Sequence, residues 1–392
     1  MDKPALPRSR TEEAKQSAGS LLGPPPGSST RSVELDFLRG IAILLVMGVH
    51  FKVPVTGIAA LDWLSSTLQL VGGVGVNLFF TLSGFLVGGL LLKEYKRTHS
   101  INGWKFLARR AFKIWPPFYA LILFHLIVGH HDSSEFFWQN FFQVQNYFGS
   151  SIKQTWSLAV EEHFYIFLTI LLVLLIGRSA RFIISVLAVL CILTIVMRVI
   201  AVGHGQLDAV FRETHYRIDS LLYGVILATV SIFFPDKFAA LARARLFLVV
   251  CALALCVFIY LTAANEIVDR DVGYAVQGVG FSLLLVLVYT GSGKLARQVW
   301  YRVISRIGVY SYSIYLWHTL ALQPGQRLID ILASKAVPPV ISWGIVMSVQ
   351  VALALITGVL MTRLVEWPSL LIRERLLGHD RFQITKRARG AE

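Results

Sequence analysis

Two ionisable residues, Arg39 and His50, share one apolar stretch, LDFLRGIAILLVMGVHF (35–51). In a helix their spacing amounts to about three turns, so both side chains fall on nearly one face, about 16 Å apart along the axis. Ionisable groups are costly inside a bilayer and are functional candidates by default. A cation near one end and a titratable imidazole deeper in suit a site that is entered from one side and reacts further in. Imidazole, with an unperturbed pKa of about 6.5, offers a neutral base near neutral pH.

Further candidates follow along the chain. In KEYKRTHSINGWKFLARRAFKIWPP, Lys105, Arg109, Arg110 and Lys113 cluster where a helix enters the membrane. Two readings stand: positive-inside anchoring, or recognition of an anionic, phosphate-bearing donor, for which Arg offers bidentate contacts. Trp115 and Pro116–Pro117 then mark the interfacial start of that span. TWSLAVEEHFYIF places Glu161, Glu162 and His163 in the first two turns of a span. Adjacent carboxylates point about 100° apart, so at most one need face a shared cavity. Such a Glu can orient an imidazole or take a proton; favourable charge at a helix N-terminus is the plainer account.

The glycine-rich stretch GGVGVNLFFTLSGFLVGG reads first as close helix packing, with Asn77 and Ser83 as possible hydrogen-bonding groups beside the first helix. Tyr216, Arg217 and Asp219 read as a structural salt bridge between helices. His318 is either a hydrogen-bonded anchor or a second histidine lining the outer cavity of His50. Glu366 and Pro368 read as a helix-end brace, and Arg373 and Arg375 as surface anchors. Trp156, Asn77, Ser83 and His318 are the candidate substrate-binding residues. The outer loop His130–Gln154 carries Phe136, Phe137, Trp138, Phe141, Phe142, Tyr147 and Phe148, too many aromatics for a solvated loop, so an interfacial helix or lid is expected. The 10 histidines include no HExxH and no Cys/His cluster, and His130–His131 is a lone pair; no metal is expected. No serine sits in a G-x-S-x-G elbow.

The elements that must position these groups are membrane helices. The chain has 392 residues, 55% hydrophobic, with mean hydropathy +0.63. The fold class is all-α, a polytopic membrane protein with about ten spans: about 34–53, 70–92, 107–128, 157–176, 180–200, 216–234, 246–264, 275–290, 307–323 and 340–364. The net charge of +14 does not point to nucleic acid, because the basic residues lie between apolar runs. Most of the 37 Lys and Arg fall on one side if both termini are cytoplasmic. Residues 1–31 read as a flexible cytoplasmic tail, 32–375 as one ten-helix domain, and 376–392 as a basic cytoplasmic tail. Cys191, Cys251 and Cys256 lie in apolar segments and imply no disulfide framework.

Taken in order, LDFLRGIAILLVMGVHF, GGVGVNLFFTLSGFL, FLARRAFKIWPPFYAL, TWSLAVEEHFYIF, YRIDSLLYG, SYSIYLWHT and EWP resemble the acyltransferase-3 family of integral membrane O-acyltransferases. The resemblance implies a ten-helix enzyme of the bacterial inner membrane that moves an acyl group, often acetyl, from coenzyme A to a hydroxyl. Family acceptors include cell-surface polysaccharides, lipopolysaccharide, peptidoglycan sugars and macrolides. The family's Arg and His of the first helix fall on Arg39 and His50, and its paired basic residues on Arg110 and Lys113, where Lys113 replaces the usual Arg. Its glutamate falls on Glu161 or Glu162. This chain has His163 where many members have Gln, and Asn77 where many have Asp.

The expected enzyme therefore uses acyl-CoA, with phosphates near Arg109, Arg110 and Lys113, Arg39 guiding the donor, and His50 as general base or transient acyl carrier. Glu161 or Glu162 orients His50 or balances its charge. The expected partners are acyl-CoA, a hydroxyl-bearing glycan, glycolipid or small molecule, and membrane lipid. The competing class is a transporter or flippase for a lipid-linked sugar. It predicts paired inverted repeats and interrupted helices, and no repeat is visible in the sequence.

Overall fold

The computed structural model describes residues 32–129, 135–291 and 293–378. The predicted tail 1–31, nearly all of the tail 376–392 and the His130–His131 pair lie outside these residues. Among the described residues the chain is helical, without strands. The main elements are α1 (Val33–His50), α2 (Ala59–Val71), α3 (Val74–Thr98), α4 (Gly103–Val128), α5 (Glu135–Phe141), α6 (Trp156–Leu174), α7 (Ala180–Gly203), α8 (Thr214–Phe233), α9 (Arg245–Thr262), α10 (Tyr274–Tyr289), α11 (Val299–Val309), α12 (Ser311–Trp317), α13 (Leu322–Ser334), α14 (Pro339–Met361) and α15 (Trp367–Leu377).

Eight of the described helices are long and apolar enough to cross a membrane. They correspond to eight of the ten predicted spans. The first predicted span is α1, made more polar by Glu34, Asp36 and Arg39; Ser32 caps it by accepting the Leu35 N–H at 3.3 Å. The ninth predicted span, 307–323, is not one helix. It breaks at Tyr310 between α11 and α12, and again at a 3-10 turn, His318–Ala321, before α13. At the second break His318 Nδ1 donates to the Tyr315 carbonyl three residues back, 2.8 Å away, which occupies an acceptor the helix would otherwise use.

The prolines are placed differently from the sequence expectation. Pro116 and Pro117 lie inside α4, which begins at Gly103 and is capped by Asn102. A proline there frees the carbonyl four residues earlier. That carbonyl, of Phe112, accepts a hydrogen bond from Ser369 on α15, the kind of re-satisfaction that makes membrane prolines tolerable. Pro368 acts on its own helix. The turn before it, Thr362–Glu366, is π-helical, because proline cannot donate and its ring crowds the preceding carbonyls. The wider turn rotates α15 relative to α14.

Glycines bring two helix pairs into backbone contact. A Cβ on Gly84 would strike the Leu221 carbonyl and one on Gly224 the Thr81 carbonyl, so α3 and α8 touch along their backbones. Gly40 and Gly308 do the same for α1 and α11. Beneath the α3–α8 contact lies a charged pair. Arg198 of α7 meets Asp219 of α8 at 2.8 Å, with neither side chain exposed. The short helix α5 buries Phe136 and leaves Trp138 and the following Phe142 exposed, as an interfacial element would.

Candidate active site

A cavity of about 370 Å³ is lined by α1, α3, α4, α6, α11, α12, the π-turn and α15. One wall is basic: Arg39, Arg110, Lys113 and Arg373 line it. Arg39 is already paired with Asp36 one turn earlier, at 2.8 Å. Arg110 differs. Its guanidinium lies 5.5 Å from the Phe106 ring centroid and 5.9 Å from that of Tyr165, and it makes no hydrogen bond or ion pair among the described residues. A recessed guanidinium with its donors open to a cavity is a ready anion site.

Beside Arg110, a chain of hydroxyls ends on a carboxylate. Tyr165 donates to Glu161 at 2.8 Å, so the 2.7 Å contact with Ser83 is completed by the Ser83 hydroxyl donating to Tyr165. All three residues line the cavity. Glu162 points elsewhere. It accepts the Trp115 indole N–H at 3.1 Å, and its other oxygen is buried without a partner. The geometry thus separates the two adjacent carboxylates, one to the cavity and one to α4.

The cavity closes on Phe79, Ser157 and Tyr315. The Tyr315 hydroxyl donates to the Gln154 carbonyl at 2.8 Å and accepts a hydrogen bond from the Ser157 hydroxyl at 2.6 Å. The Tyr315 ring lies 6.0 Å from His318. Next to it is His50, whose ring centroid lies 4.9 Å from that of His318. His50 Nδ1 donates to the Val46 carbonyl at 2.8 Å and lies 3.3 Å from His318 Nε2. His318 is fully buried; His50 keeps part of its surface accessible. The His50 Nε2 atom is left as the free ring nitrogen.

The structure therefore brings Arg39, Arg110, Lys113, Ser83 and Glu161 around one cavity, and His50 with His318 beyond Tyr315. It places Asn77, Trp156, Arg109 and Glu162 away from the cavity wall. Asn77 is buried between Arg217, which donates to it, and Gln277, which accepts from it. Trp156 packs on Phe211 at 4.8 Å and on the Arg217 guanidinium at 5.3 Å. Arg109 binds Glu374 at 2.8 Å and the Gly378 carbonyl at 2.7 Å, bracing α15. His163 bonds Thr214 Oγ1 at 2.8 Å.

The salt bridge expected around Arg217 and Asp219 takes another form. Asp219 pairs with Arg198, and Arg217 stacks on Tyr274 at 3.7 Å. Sequence reasoning missed Tyr165, Tyr315, Glu366 and Arg373 as cavity residues. For Glu366 and Arg373 the signal was Pro368: the π-turn before it brings Glu366, Trp367, Leu370 and Arg373 onto the cavity face. No group of three or more His, Cys, Asp or Glu lies together among the described residues.

Comparison with known proteins gives the family. An acyltransferase domain model matches residues 32–359. YrhL of Bacillus subtilis (strain 168), provisionally named a peptidoglycan O-acetyltransferase, is 30% identical over 315 residues, 72% of this chain and 47% of that protein. SACOL0978 of Staphylococcus aureus (strain COL), provisionally named an O-acetyltransferase, is 30% identical over 318 residues, 72% of this chain and 49% of that protein. The O-acetyltransferase OatA of Staphylococcus aureus (strain NCTC 8325 / PS 47) is 27% identical over 312 residues, 72% of this chain and 49% of that protein. The chain thus spans about half the length of the curated relatives it matches. No solved structure matches significantly. A family match over most of the chain, on a scaffold of apolar membrane-length helices, means that this multi-pass integral membrane protein belongs to the acyltransferase-3 family.

Proposed function

We propose that the protein is a membrane O-acyltransferase that takes an acyl group, acetyl by preference, from acyl-CoA and transfers it to a hydroxyl of a cell-surface glycan or glycolipid. The observation that carries this reading is the cavity with an unpaired Arg110 in its basic wall, closed by Tyr315 directly beside the His50–His318 pair. The relatives named for O-acetyl transfer support the acyl group and the glycan class. The positive-inside distribution supports a bacterial inner membrane protein with both termini and the basic wall on the cytoplasmic side.

In this mechanism the donor's anionic end rests against Arg110 and Lys113, with Arg39 beside them. The thioester reaches toward Tyr315. His50 Nε2 removes the proton from the acceptor hydroxyl as the oxygen attacks the thioester carbonyl. The carbon–sulfur bond breaks, coenzyme A leaves as its thiolate, and the His50 proton neutralises the sulfur. Glu161 balances the basic wall and, through Tyr165 and Ser83, orders the hydroxyls facing the donor.

The test is acyl transfer from radiolabelled acetyl-CoA in membranes that contain the acceptor. His50→Ala is expected to lower the rate by about 10²–10⁴-fold, the usual contribution of a general base. Undiminished transfer by His50→Ala would remove His50 from the reaction. Labelled adduct retained on His50 would select a covalent relay over direct transfer.

A further inference from the structure

We propose that His318 is a positioning residue for His50: a neutral, buried imidazole that holds the His50 ring and takes up part of the charge on its Nδ1–H when Nε2 is protonated. The inference rests on His50 as the base of the proposed function.

The hydrogen positions follow from the partners. A backbone carbonyl only accepts. His318 Nδ1 lies 2.8 Å from the Tyr315 carbonyl, so it carries a proton. Among the described residues no carboxylate pairs with either ring. A fully buried imidazole without a counter-charge is held neutral by the cost of burying charge. The His318 Nε2 therefore presents a lone pair. By the same argument His50 Nδ1, 2.8 Å from the Val46 carbonyl, carries a proton. The 3.3 Å contact is then a donation from His50 Nδ1–H, shared between a carbonyl oxygen and the His318 nitrogen. Each bond demands the same tautomer of His50, the one that leaves Nε2 free.

The two acceptors have different duties. Val46 lies on α1 itself, one turn below His50, and moves with it. His318 comes from the break between α12 and α13, so it ties the reactive ring to a different part of the bundle. Its backbone bond to Tyr315 prevents it from passing a proton onward: the only exit from Nδ1 is a peptide carbonyl. His318 is therefore an acceptor and not a relay. Tyr315 completes the arrangement, since the same residue closes the donor cavity and anchors His318. The break at His318 in the ninth span, costly for a membrane helix, thus has a use.

The experiment measures kcat and KM for acetyl-CoA in purified, lipid-reconstituted enzyme, for His318→Leu, His318→Gln and His50→Ala. Leucine fills the space without an acceptor; the glutamine amide oxygen reaches the place of Nε2. His318→Leu is expected to lose about 10- to 100-fold in kcat, the worth of a hydrogen bond to a charged group, with KM for acetyl-CoA unchanged. His318→Gln is expected to recover most of that loss. Thermal melting of each variant separates misfolding from a catalytic loss. A His318→Leu enzyme with wild-type kcat, or one that glutamine fails to rescue while the fold is intact, overturns the proposal. If His50→Ala is itself fully active, the general-base reading fails and this inference with it; if His50→Ala is dead and His318→Leu normal, this inference alone fails.

Discussion

Arg110→Met separates binding from stability. In the free protein the guanidinium is recessed over Phe106 and Tyr165 and has no hydrogen-bonding partner among the described residues. A phosphate placed against it gains a bidentate, charge-assisted contact. Hydrogen bonds to charged groups are worth about 1.5–3 kcal/mol net, so losing the pair costs about 3 kcal/mol. At about 1.4 kcal/mol per factor of ten, that is roughly a hundredfold in donor affinity. The free protein should respond in the opposite direction. Methionine keeps the apolar packing on both rings and breaks no hydrogen bond or contact ion pair of the free protein, while a recessed guanidinium is itself costly to desolvate. The melting temperature should hold or rise, while the affinity for acetyl-CoA, measured calorimetrically on detergent-solubilised protein, falls. The maximal rate at saturating donor should change by only a few-fold. A donor affinity within threefold of wild type would refute the anion-site assignment. Joint loss of affinity and stability would show that Arg110 is structural.

Glu161→Gln should lower maximal transfer by at least tenfold, because Glu161 lines the cavity, whereas Glu162→Gln, which faces Trp115, should cost less; a steady-state comparison that ranks them the other way reverses the assignment. Gly84→Ala should destabilise the α3–α8 contact by about 3 kcal/mol or more, since a Cβ there meets backbone, which thermal melting in detergent would register. Asp62 accepts bonds from the Thr56 and Gly57 amides and the Thr56 hydroxyl, and the Thr56 amide above all holds its carboxyl below the usual value of 3.8. Its grip on the loop after His50 is then complete above about pH 4 and is lost as pH falls through the depressed folded value. Hydrogen exchange across 52–62 should quicken only in that acid window, and Asp62→Asn should quicken it at neutral pH.

Much of the architecture was legible along the chain because it rests on local chemistry. Apolar runs of membrane length mark the helices, and the Arg39–His50 stripe follows from helical period alone. The glycines announced a close approach without naming what they approach. The division of labour between Glu161 and Glu162 was legible as a constraint, since neighbours on a helix diverge, and not as a choice.

The choice belongs to tertiary packing. Which carboxylate meets the cavity depends on the azimuth of α6, fixed by Trp115 on α4 against Glu162 and Ser83 on α3 against Tyr165. Arg109 and Arg110 read as equals in the sequence, yet Glu374 claims the first and leaves the second facing the cavity. Glu366 read as a helix-end brace and Arg373 as a surface anchor, yet the π-turn before Pro368 brings both to the cavity. For His318 the sequence left two readings, an anchor or a partner of His50, and the break in its helix decided between them by setting it 3.3 Å from His50. Composition and period determine which segments enter the membrane and which faces are polar, because those are properties of one helix at a time. Which polar faces meet is decided by contacts between residues far apart in the chain, from 47 positions for Trp115 and Glu162 to 268 for His50 and His318, and no local pattern encodes them.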